Sequence, residues 1–164
     1  MLSVNVTNPV VFPKSRIKGK VRYLSEDDFN RVLEIDKACF NPPIETTDIK
    51  EHIEKRNGIG KVLEVDGVIV GFHFYQLENN KIQILRLAVD PKYRRKGYAS
   101  KMVREAYRKL SLKRNILCCT VSEYADGAIL FFKKMGFIAT SVSRNAVADN
   151  SDGYCFRLVL AESK

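Results

Sequence analysis

The stretch VDPKYRRKGYAS, Val89 to Ser100, sets three consecutive cations, Arg94, Arg95 and Lys96, directly before Gly97, with the small residues Ala99 and Ser100 just beyond. These residue types suit an anion. If a helix begins after the glycine, its first turn leaves backbone N–H groups unpaired and carries about half a positive charge, a natural seat for phosphate. Gly97 allows close backbone approach, or a conformation closed to other residues. The three cations would add side-chain charge to a site built from amides, as a pyrophosphate requires.

The surrounding pattern supplies the elements that such a loop needs. Ile82 to Val89 predicts a strand, and Ala99, Met102, Val103, Ala106, Tyr107 and Leu110 recur at helical spacing on one face. Asn115 to Val121 predicts the next strand, so strand, loop, helix and strand form a right-handed crossover between parallel strands. The Walker and dinucleotide fingerprints are both absent: neither G-x-x-x-x-G-K nor G-x-G-x-x-G occurs.

Upstream, Lys20 to Leu24 predicts a first strand. Ser25 and Asp28 form a capping-box pattern ahead of Phe29, Val32, Leu33 and Asp36, a helix running to about Cys39. Pro42 and Pro43 break it, and a second helix restarts near Thr46 or Thr47 with Ile49 and Ile53 on one face. Gly60 to Val65, Val68 to Leu77 and Ile82 to Val89, joined by Asp66-Gly67 and Asn79-Asn80, predict an antiparallel meander. A fourth helix, about Asp126 to Met135, ends at Gly136, and closing strands follow near Phe137 to Ser143 and Tyr154 to Leu160. The expectation is one α/β domain over residues 20–164, with a mixed sheet of about seven strands and four helices, after an arm (1–19) interrupted by Pro9, Pro13 and Gly19.

Composition agrees with a globular chain: 164 residues, 45% apolar and 29% charged, without the roughly 18 consecutive apolar residues of a membrane helix. The first nineteen residues carry neither a signal-peptide apolar region nor a transit helix, so a cytoplasmic protein is expected. Cys39, Cys118, Cys119 and Cys155 lack metal-ligand spacing and read as reduced core thiols; no metal is expected. A net charge of +9 favours phosphate-rich small molecules, acidic proteins or nucleic acid. Without zinc-finger spacing or an aromatic RNA-binding signature, nucleic acid is set aside.

Arg94-Arg95-Lys96-Gly97-Tyr98-Ala99, between a strand and a helix, resembles the R/Q-x-x-G-x-G/A signature of the GNAT superfamily of acetyl-CoA-dependent N-acyltransferases. The likeness extends over about Lys20 to Leu160. "CFNPPIETTDI" and "LFFKKMGF" look most like bacterial ribosomal-protein N-terminal alanine acetyltransferases. The resemblance implies acetyl-CoA as cosubstrate. It implies that backbone amides of Arg95 to Ser100 hold the pyrophosphate, with Arg94 beside them. Leu87, Ala88 and Val89 would pair with the pantetheine arm like an added strand, a backbone N–H there polarising the thioester carbonyl. The acceptor amine would enter beside Phe40, Pro43, Ile44 and Glu45.

Relatives commonly place a Tyr acid near the coenzyme sulfur and an Asn seven residues before it; here these positions are Phe132 and Ala125. Phe132 thus falls at the coenzyme site without a proton to give. Gln83 and Thr120 occupy positions where relatives carry a basic Glu or His. Glu123 and Tyr154 remain as catalytic candidates. His73, inside an apolar strand, reads as a core histidine, and His52 as a helix-face residue. A site so equipped favours an α-amine, one at a protein N-terminus above all. A small amine, a lysine, or a non-catalytic coenzyme-binding protein with a basic surface are the alternatives.

Overall fold

The computed structural model describes residues 16–147 and 150–160. Seven strands form one sheet in the order β1-β2-β3-β4-β5-β7-β6. They are β1 (Lys20–Tyr23), β2 (Gly58–Val65), β3 (Val68–Leu77), β4 (Lys81–Val89), β5 (Ile116–Ser122), β6 (Ile138–Ser143) and β7 (Gly153–Val159). The helices are α1 (Phe29–Cys39), α2 (Thr46–Glu54), α3 (Tyr98–Tyr107) and α4 (Asp126–Lys134). Every neighbouring pair is antiparallel except β4 and β5, the parallel pair on either side of α3. The expected mixed seven-stranded sheet with four helices is therefore present. Of the N-terminal arm, residues 1–15 lie outside the described residues; Ile17 packs on the apolar cluster around Leu63 and Met102.

Local chemistry explains the boundaries. Asp28 accepts from Ser25 N at 2.8 Å, the capping-box bond read from the sequence, and Arg22 grips both its carboxylate oxygens. Asp66 and Gly67 both adopt positive φ, 51° and 78°, as a tight primed turn between β2 and β3 demands. Gly136, at φ 95°, closes α4.

The sheet is covered on both faces. Phe72, Phe74, Val62 and Ala88 pack with Phe29, Val32, Ile35 and Ile49 of α1 and α2. On the other face Ile82, Ile84, Leu117 and Phe156 pack with Val103 and Ala106 of α3 and Phe132 of α4. Each large side chain so buried stabilises the fold by about 2 kcal/mol.

Two expectations need correcting. His52 is no mere surface residue of α2: it is buried, its Nε2 sits 2.9 Å from Ile59 O, and its ring packs on Phe74. Only Cys118 and Cys119 are core thiols: Cys39, at the end of α1, and Cys155, inside β7 beside the hydroxyls of Thr120 and Ser143, are half-buried; all four are reduced.

Candidate functional site

Parallel pairing of β4 with β5 runs from Lys81↔Ile116 only to Ile84↔Cys119. There the register of β4 on β3 shifts, with Tyr75 facing Ile84 but Phe74 facing Arg86, so Leu85 is an inserted residue. Such a bulge bends its strand. Beyond it, residues 86–89 of β4 and 120–122 of β5 pair only with their outer neighbours, and a gap opens between the two strands.

The backbone phase decides what β4 presents to that gap. Asp90 N donates to Val70 O at 2.8 Å, which makes Gly71↔Val89 and His73↔Leu87 non-hydrogen-bonded pairs of the antiparallel ladder. The N–H and C=O groups of Leu87 and Val89 consequently point away from β3, toward the gap. Ala88 differs from the expectation placed on it. Its backbone groups turn to Phe72 and its side chain packs under α1, because alternate residues of a strand exchange roles.

The gap leads to the N-terminus of α3. Asp90 holds the intervening turn, accepting from Lys92 N at 3.0 Å and from Arg31 Nη2 at 2.6 Å. Arg95 and Gly97 take positive φ, 65° and 79°, and Gly97 is the N-cap of the helix. Among the described residues no acceptor engages the N–H groups of Arg95, Lys96, Gly97, Tyr98, Ala99 or Ser100. Six amides around one turn, with a helix N-terminus behind them, are an arrangement able to receive an anion. Arg95 and Lys96 are exposed beside it. Tyr98 contributes backbone only, since its ring is buried against Met102. Arg94 instead folds back on the strand, with Nε 3.3 Å from Val89 O and Nη2 3.2 Å from Cys39 Sγ.

The remaining candidates are distributed around the gap. Phe132 is buried, its ring against Phe131, Phe137 and Phe156, so it serves the core first. Tyr154 of β7 faces Val121 of β5 and is half-buried. Glu123, just past β5, accepts from Asp152 N at 3.3 Å and is thereby tied to the start of β7. Gln83 accepts from Cys118 Sγ, and Thr120 is exposed. Cys155 lies 3.3 Å from Ser143 Oγ, and hydroxyls led by Ser141 and then Ser143 draw its thiol below the usual range, whereas burial pushes Cys118 and Cys119 up.

Segment 40–45, between α1 and α2, stands on the α1 side of β4. Phe40 and Ile44 pack on the cluster under α1, while Pro43 and Glu45 are exposed; Glu45 N donates to Asp48 at 2.7 Å. The sequence reading missed what fastens this segment: Arg86 of β4 and the fully buried Asp36 of α1, hydrogen-bonded to each other. Two charged residues at otherwise apolar positions, in LRLAV and on the inner face of α1, were the signal. His73 is wholly buried beneath α3, where burial lowers its pKa and Glu105 Oε2 stands 3.3 Å from Nε2. No group of the described residues forms a cluster able to hold a metal ion.

Comparison with known proteins agrees with this geometry. Residues 29–137 match the model of the acetyltransferase (GNAT) family. Among solved structures, the fold is similar to the ribosomal-protein-S18-alanine N-acetyltransferase of Escherichia coli, at a TM-score of 0.77 and 18% identity over 89% of this chain and 96% of that one. Ard1 of Thermoplasma volcanium gives 0.75 at 25% identity, over 89% and 100%. A GNAT acetyltransferase of Elizabethkingia anophelis with acetyl-CoA bound gives 0.70 at 15%, over 87% and 99%. The search of curated proteins finds no match. With the family model spanning most of the chain, and the strand gap and open helix N-terminus in place, this protein belongs to the GNAT family of acetyl-CoA-dependent N-acetyltransferases.

Proposed function

We propose that the acceptor is the α-amine of a protein N-terminus, presented across segment 40–45 to acetyl-CoA lying between β4 and β5. The observation that carries this is a meeting of three features at one place. They are the outward backbone of Leu87 and Val89, the open amides of Arg95 to Ser100, and the apolar and acidic surface of Phe40, Ile44 and Glu45. Neighbours of the same fold include Naa50 of Arabidopsis thaliana in complex with the bisubstrate analogue CoA-Ac-MVNAL, which supports the choice of a protein N-terminus.

Acetyl-CoA supplies the acyl group as a thioester. In this chain the amides of Arg95 to Ser100 would hold its phosphates, and the N–H groups of Leu87 and Val89 would pair with the pantetheine arm and stabilise negative charge on the carbonyl oxygen. Transfer forms a C–N bond at the acyl carbon and breaks C–S. The thiolate leaves readily, since a thiol titrates near 8.5, so Phe132 need give no proton. The ammonium proton must pass to water, directly or relayed through the Tyr154 hydroxyl as that group releases its own proton, because Gln83 and Thr120 are not bases and the Glu123 carboxylate is tied to Asp152 N.

That weak equipment selects the amine. Deprotonating a lysine near pH 7.5 costs roughly 4 kcal/mol, an α-amine well under 1 kcal/mol. Peptides with a free α-amine should therefore be acetylated faster than N-terminally blocked peptides whose only amine is a lysine, with the advantage shrinking as the pH rises toward 10. A lysine preference at neutral pH would defeat the proposal.

A further inference from the structure

Arg86 stands one residue before Leu87 in β4 and leaves the strand on the face covered by α1. Its guanidinium reaches segment 40–45 by three routes. Nε and Nη2 bind the two oxygens of Asp36, whose Oδ2 accepts from Ile44 N at 2.8 Å. Nη2 also lies 3.4 Å from Pro42 O, and the guanidinium carbon sits 4.1 Å over the ring of Phe40. Asp36 is fully buried, and the Arg86 side chain is 19% exposed. A buried ion pair contributes little net stability compared with an apolar pair of the same volume. What this pair does that an apolar one could not is bind the backbone of a loop in a set direction.

We infer that Arg86 is a positioning residue for the acceptor, holding segment 40–45 in register with the outward backbone of Leu87. The inference rests on the reading of that segment as the acceptor loop. Arg86 touches neither the open amides before α3 nor the gap-facing backbone groups in any recorded bond, so it would act on acceptor geometry and leave coenzyme binding alone.

The test uses the full chain with an α-amine peptide as acceptor. Arg86→Met should raise the peptide KM by about tenfold or more, as expected for loss of charged hydrogen bonds, with the acetyl-CoA Kd unchanged within twofold. Arg86→Lys should fall between the two, since lysine keeps the charge but not the fork. The double variant Asp36→Leu with Arg86→Met should recover thermal stability relative to Arg86→Met alone, because no buried charge is left unpaired, yet keep the raised KM. That split separates positioning from general stability. A peptide KM that returns to the wild-type value in the stable double variant, or a matching loss of acetyl-CoA affinity, would overturn the inference. If wild-type protein acetylates small amines but no peptide α-amine, the acceptor reading itself fails, an outcome distinct from an active enzyme whose peptide KM ignores Arg86.

Discussion

Gly71 of β3 and Val89 of β4 face each other with no room between their strands and α3: a Cβ on Gly71 would lie 2.7 Å from Ala88 O and 2.9 Å from Met102 Cε. The absent side chain lets α3 settle onto the end of β4 that carries the outward groups of Val89. Gly71→Ala should destabilise the protein by about 2 kcal/mol, as overpacking of a filled core does, because the first obstacle is backbone and cannot rotate aside. Urea unfolding measures this. A variant as stable as wild type would show that β3 and α3 are less closely set than described.

Gly97 has a different constraint. Its φ of 79° is costly for any residue with a side chain, by about 1 kcal/mol. An added Cβ would also meet Ile17 Cδ1 at 2.5 Å, although that is a side-chain end able to move. Gly97→Ala should therefore lower Tm by about 3 °C. Gly97→Glu should in addition abolish the rise in Tm that acetyl-CoA gives the wild type, since a carboxylate would stand among the open amides. An undiminished rise would remove the coenzyme phosphates from this turn.

How much of this was legible in the chain differs by feature. The helices and strands fell within about two residues of their positions, since Asp66-Gly67 can scarcely do anything but turn, except that the apolar stripe of α3 reads on to Leu110 whereas the helix ends at Tyr107. The open turn before α3 was legible because it is local, one loop and one helix start. The gap between β4 and β5 was not. It depends on an inserted residue, Leu85, whose register is set by the partner strand. Nor could the run Leu87-Ala88-Val89 reveal that its middle member turns inward, because the hydrogen-bond phase is a property of two strands. The Arg86–Asp36 pair joins positions fifty residues apart, visible in sequence only as two unexplained charges.

His73 supplies a pH dependence. Burial, the largest influence, lowers its pKa beneath α3, and nearby Lys61 adds to this, while Glu105 opposes them. The unfolded chain takes up a proton at His73 near pH 6.5, the folded chain only at lower pH. The unfolded state thus binds more protons in that window, so stability is full above about pH 7 and falls as the pH drops below 6.5. His73→Leu should flatten the stability profile between pH 7 and 5, measured by urea unfolding at each pH. Parallel profiles for the two proteins would show that His73 protonates in the folded state as readily as in the unfolded one.

The claim at the centre is that acetyl-CoA lies along the outward edge of β4 and meets the start of α3. Amide hydrogen exchange resolved to single residues, with and without acetyl-CoA, tests it most directly. Leu87, Val89 and the amides from Arg95 to Ser100 should gain protection on binding, while Ala88, already bonded to β3, should change little. Protection gained elsewhere, with Leu87, Val89 and the turn before α3 unaffected, would contradict the site.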